Sequence, residues 1–271
     1  MHSWKKGLLI SGVVILAGLG LLAWPEKEPA APPPLPNPNG YRVILAAGTN
    51  LITLAKDDSE TTPEERVAWV EKNRAALEGL RHGLELPGRV PPVSGSEADA
   101  AIHLEELARL KSLARLLVAE GKGFEQNGPN SQAARAYLDA VRLGEAVSRG
   151  GLIIDQLVGF ACTAIGMKNL EALRPRLGAA DCRLVATELA RIGREFSPVD
   201  EVFQRERMTY ERRASVAVRL AVKFQRWIPN SGLNRSEASF RAKAARNRQE
   251  LEKLAREFED RAKELEARPV K

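Results

Sequence analysis

Very few residues of this chain could do chemistry. Its three histidines are His2, His82 and His103. No pair of them has metal-ligand spacing and no His-Glu-x-x-His run occurs, so a zinc centre of the common kinds is not encoded locally. His82 and His103 each fall on a predicted helix among ordinary charged neighbours, which reads as surface histidine rather than ligand or base. There is no nucleophile elbow and no phosphate-binding glycine loop. Ser148-Arg149-Gly150-Gly151 reads as the stop of a helix. The expectation is therefore no catalytic residue, no metal and no cofactor.

Asp155 is the polar residue that stands out, because it sits among Ile153, Ile154, Leu157 and Val158. A carboxylate buried there must be paired, since an isolated one costs several kcal/mol or takes up a proton. The expected role is structural, with Asp155 bonding to the start of its own helix or to an arginine. Cys162 and Cys182 are compatible with one disulfide outside the cytoplasm. The stronger reading of Cys162, within the apolar run Val158 to Ile165, is a free cysteine acting as a small hydrophobe.

The charge is unevenly placed. The net charge is +6, and from Val199 to Lys271 eighteen Lys and Arg face twelve Asp and Glu, so the C-terminal third carries the whole excess. The basic surface expected there comprises Arg205, Arg207, Arg212, Arg213, Arg219, Lys223, Arg226, Arg241, Lys243, Arg246 and Arg248. A solvated or partner-facing surface is the leading reading, because arginine stems readily cover apolar helix faces. Anionic lipid or an envelope polymer comes next, and nucleic acid is disfavoured by the lack of a recognisable nucleic-acid fold.

The elements that position these residues begin with a membrane segment. Trp4-Lys5-Lys6 precedes Gly7 to Ala23, seventeen residues without a charge, and Trp24-Pro25 follows. A helix over Gly7 to Trp24 would be roughly 27 Å long, close to the hydrocarbon core of about 30 Å. A cleaved signal peptide is the rival reading, but Leu21 stands at the position that needs a small residue and Trp24-Pro25 obstructs the cut. Lys5 and Lys6 before the span, with Glu26-Lys27-Glu28 after it, keep the N-terminus inside and the body outside. Seven prolines between residues 25 and 40 then make an extended spacer.

From Tyr41 onward the chain reads as all-α, with about seven to eight helices. The organisation expected is residues 1–24 as cytoplasmic stub and anchor, 25–40 as linker, 41–197 as helical core and 198–271 as a long basic hairpin packed on it. Tyr41 to Leu54 is a short helix without a clear cap. Thr62-Pro63-Glu64-Glu65 opens the next with a capping box, its stripe running through Val67, Val70, Leu77, Leu80 and Leu84 to Pro87-Gly88. Ser96 to Glu120 follows, with Gly121 as its stop, and Asn130 or Ser131 starts a helix that runs to Arg149. Leu152 to Leu173 is the most apolar helix, expected central and buried on most sides, and Asp181 caps the next one to about Phe196. Tyr210, Ala214, Ala217, Ala221, Phe224 and Ile228 form a heptad seam, broken at Pro229 to Gly232. The last helix then starts at Ser236 and returns antiparallel to it.

Within this pattern Leu116 to Val147 resembles one tetratricopeptide-type hairpin. The resemblance is carried by Gly121 and Gly123, then by Ala133-Ala134, Tyr137 and Ala140-Val141-Arg142-Leu143. Ala133 to Leu173, with Ile154-Asp155-Gln156-Leu157-Val158-Gly159, is similar to an uncharacterised group of bacterial membrane-anchored helical proteins. That likeness implies an anchor plus helices only; the group has no assigned activity, so it assigns no functional residue. The reading of the whole is a single-pass, extracytoplasmic interaction or scaffold module, held in the bilayer through residues 7–24. It has a protein partner, and exposed seams would make a homodimer plausible. The alternative is an envelope enzyme or enzyme subunit with a site of scattered carboxylates.

Overall fold

The computed structural model describes residues 33–53, 61–93, 96–213 and 232–267. The described residues are all-helical, with no strand. Their helices are α1 (Gly40–Thr49), α2 (Pro63–Lys72), α3 (Arg74–Glu85), α4 (Glu97–Asn127), α5 (Asn130–Ser148), α6 (Ile153–Leu173), α7 (Ala179–Glu195), α8 (Val199–Arg213) and α9 (Gly232–Glu266). The expected anchor at residues 7–24 and the seam side chains from Tyr210 to Ile228 lie outside the described residues. Among those described, no helix is long and apolar enough to cross a membrane.

The end of the proline-rich stretch is tied to the body by one side chain. Asn39 caps α1 by accepting from the Tyr41 N–H, accepts the Arg89 N–H at 3.0 Å, and donates to the Arg89 carbonyl at 2.9 Å. So α1, for which the sequence offers no obvious cap, does have one, worth about 1 kcal/mol. The capping box at Thr62 and Glu65 is present, but the helix it opens ends at Lys72 and a new one starts at Arg74. Asn73 is the cause. Its amide accepts the Ile52 N–H at 2.8 Å and donates to the Ile52 and Trp69 carbonyls, so side-chain bonding to the backbone replaces the helical ladder. Because the helix breaks there, Val67 and Leu77 do not share a face. Leu77 is buried and Val67 is exposed.

The centre is built by α4, α5 and α6. Gly121 does not stop α4, which continues to Asn127. A β-carbon at Gly121 would strike the Tyr137 ring, so this glycine lets α4 and α5 close on one another. Gly150, with φ of +71°, makes the left-handed turn after α5 that only glycine adopts without strain. Helix α6 differs from its expected burial on most sides. Its buried stripe is Asp155, Gln156, Gly159, Cys162, Thr163, Gly166, Met167, Leu170 and Leu173, whereas Ile154 is 38% exposed. Small residues face inward because α5 comes close: a β-carbon at Gly159 would collide with Ser148 Oγ and the Gly144 carbonyl.

The last helix differs from expectation in its start. It begins at Gly232, and its stripe of Leu251, Leu254, Ala255 and Phe258 joins the same apolar cluster as Cys182, Val185, Leu189 and Ile192 of α7. Arg183 pairs with Glu266 at 2.5 Å while Gly193 lies against Leu251, so α9 runs antiparallel to α7. Against α8, Phe203 meets Phe240 edge-on at 5.5 Å and Arg241 pairs with Asp200 at 2.8 Å. The turn expected at Pro229 to Gly232 falls almost wholly outside the described residues.

Candidate functional site

Two polar clusters stand out, one open and one sealed. The open one is a cleft of about 700 Å³ bounded by α1, the end of α3 with Leu86-Pro87-Gly88, α5 and α7. That volume is within the ordinary range for a binding site. Its apolar wall includes Ile44, Leu84, Leu86, Ala146 and Ile192. Across it α5 and α7 present charges at helical spacing, which places them in one row. Arg149 grips Glu145 with two bonds of 2.7 and 2.6 Å and reaches Glu195 at 3.1 Å. Arg191 pairs with Glu195 at 2.7 Å and with Glu188 at 2.9 Å.

Deeper along α5 the row continues. Asp139 accepts from Arg81 at 2.9 Å and from Arg142 at 3.3 Å, and Arg81 also pairs with Glu120. Glu145 is buried beneath this network, and burial raises its carboxyl above the ordinary range against the pull of Arg149. Asp139 is raised for the same reason, despite Arg81. Sequence reading missed this cleft. The one available signal was the run of Arg and Glu at i, i+3 and i, i+4 on two helices, which looks the same on a solvated face.

The sealed cluster surrounds Asp155. Its side chain is wholly buried, accepts the Leu152 N–H at 2.6 Å, and lies 2.8 Å from Nε2 of His103. His103, read from sequence as a surface residue, is only 7% exposed, because the first turns of α4 lie over the start of α6. The exposed residue at that point is Ile102. The other ring nitrogen of His103 is 3.5 Å from Glu106. Burial pulls His103 down, but the Asp155 hydrogen bond and the charges of Asp155 and Glu106 outweigh it, so its pKa is raised. With a carboxylate at each nitrogen, the ring has no free nitrogen for a substrate. The Tyr41 hydroxyl is buried in the same region without a hydrogen-bond partner, and burial together with the Asp155 and Glu106 charges raises its pKa.

The remaining sequence candidates divide. Cys162 and Cys182 are free and buried, not bridged, and burial pushes the Cys162 thiol up to about 12, which leaves it inert. Of the basic surface, Lys243, Arg246 and Arg248 are exposed on α9, and Arg241 pairs with Asp200 and Glu237 while lying over the Phe203 ring. Arg205 is not on an open face. It donates to the Val90 carbonyl at 3.3 Å, and burial, then the nearby Arg89 charge, lowers its pKa. Arg207 is also half-buried. The side chains of Arg212, Arg213, Arg219, Lys223 and Arg226 lie outside the described residues. Among the described residues, no three His, Cys, Asp or Glu side chains converge as metal ligands.

Compared with known protein families, with curated proteins and with solved structures, the chain matches none. The cleft geometry and the sequence are the grounds for a functional reading.

Proposed function

We propose that this protein is an interaction or scaffold module: a helical body displayed outside the cytoplasmic membrane on an N-terminal anchor over residues 7–24, with the stretch 25–40 as its stalk. The observation that carries the reading is the cleft of about 700 Å³, whose polar groups are already arranged in rows of ion pairs. Arginine and glutamate held in fixed forks suit recognition of another chain's side chains. Among the described residues that line the cleft there is no Ser, Thr, Cys, Lys or His, and His103 has a carboxylate at each nitrogen.

The test joins topology to capture. A C-terminal reporter active only outside the cytoplasm should be active, and crosslinking from the intact chain in its membrane should recover a specific protein partner. An inactive reporter, or crosslinking that recovers no specific partner, counts against the module.

One observation favours the second reading, an envelope enzyme or enzyme subunit using carboxylates. Glu145 lines the cleft and burial raises its pKa, as a general acid requires. Glu145→Gln separates the two readings. For an enzyme it abolishes turnover of any substrate found, whereas for the module it changes partner affinity and stability only.

A further inference from the structure

We infer that the cleft between α3, α5 and α7 receives a lysine or arginine side chain from an extended segment of a partner protein. The inference deepens the module reading and rests on it. Along the α5–α7 wall the carboxylates of Glu145, Glu188 and Glu195 share only two guanidiniums, those of Arg149 and Arg191. The neighbouring set is balanced, with Arg81 and Arg142 against Glu120 and Asp139. The wall is thus one cation short in a chain whose net charge is +6.

On the opposite rim Glu85 is exposed and makes no ion pair among the described residues. A cationic side chain entering between the rims supplies the missing charge, its ammonium or guanidinium bonding to Glu188 or Glu195 on one side and facing Glu85 on the other. The methylene stem of the same side chain lies against Ile44, Leu84 and Ile192, which line the cleft beside the charges. An anionic segment would add to the surplus and would have to break existing forks to reach Arg149 or Arg191.

The test uses the full chain in uncharged detergent micelles and three labelled octapeptides of glycine and serine. One carries two lysines, one two glutamines and one two glutamates, and binding is read by fluorescence anisotropy. The lysine peptide should bind at least about tenfold more tightly than the glutamine peptide, and the glutamate peptide should be weakest. The double variant Glu188→Gln/Glu195→Gln should lose about tenfold for the lysine peptide. The control Glu250→Gln/Glu252→Gln, exposed on α9, should lose none. A thermal melt of each variant separates lost binding from lost folding.

Equal binding of the three peptides, preference for glutamate, or equal losses in the two double variants overturns the inference. Failure of this inference is distinguishable from failure of the module. A partner captured by crosslinks outside the cleft keeps the module and removes the cleft assignment. Lysine-selective binding lost with Glu188 and Glu195, in a chain that captures no partner, does the reverse.

Discussion

The Asp155 cluster and the α5–α7 cleft are made of the same chemical groups and behave oppositely. At Asp155 one carboxylate is sealed between α4 and α6, with a helix N–H and a histidine on its two oxygens. In the cleft, carboxylates of similar pairing are left half-open, with Glu188 and Glu195 each about a third exposed. Removing a partner from a sealed charge leaves it uncompensated, while water replaces a partner lost at a half-open one. Access to solvent, more than residue type, therefore separates a group that holds the fold from one left open at the surface.

The largest effect expected is at the sealed cluster. Asp155→Ala leaves the Leu152 N–H and His103 without their acceptor and should destabilise by about 3–5 kcal/mol in urea unfolding. A loss as small as that of a surface variant would erase the contrast between the two regions. Gly159→Ala comes next, because the added methyl meets Ser148 and the Gly144 carbonyl in the α5–α6 contact. Overpacking of this kind costs roughly 1–3 kcal/mol, and unfolding should show it without any change in peptide binding.

A pH series sharpens the comparison further. His103 is raised above its ordinary value of 6.5, so the folded state holds its proton more firmly than the unfolded chain does. Its contribution is complete below about pH 6.5 and is lost as pH rises through the folded-state pKa. Asp139 and Glu145 are also raised, so their losses have the same sign but begin lower, from ordinary values of 3.8 and 4.5. His103→Gln should lower stability below pH 6.5 without changing its slope there, and flatten the fall above pH 6.5. The smallest effect is expected in the cleft. Glu188→Gln should shift stability by no more than about 0.5 kcal/mol, and a larger shift would mean that the cleft network is a structural clamp.

Much of the fold was legible because it is written in local pattern. The all-α class, the capping box at Thr62, the helix start at Ser96 and the α5 span each follow from spacings within one helix. The misreadings arose where a distant residue decided a local outcome. Asn73 breaks a helix because Ile52, twenty-one residues earlier, meets its amide. Gly121 continues a helix because Tyr137 needs the space. The candidate site was the least legible part, since Glu145, Arg149, Arg191 and Glu195 look like solvated helix faces until α5 and α7 are set side by side.

By itself the sequence determined the helical class, the charge excess of the C-terminal third and the need for Asp155 to be paired if buried, because periodicity, composition and desolvation act on neighbours in the chain. Tertiary structure alone decided that the partner is His103, that α9 lies on α7, and that a row of arginines and glutamates borders a cleft. Those are contacts between residues far apart in sequence, and their energies depend on which faces meet and how much water is excluded.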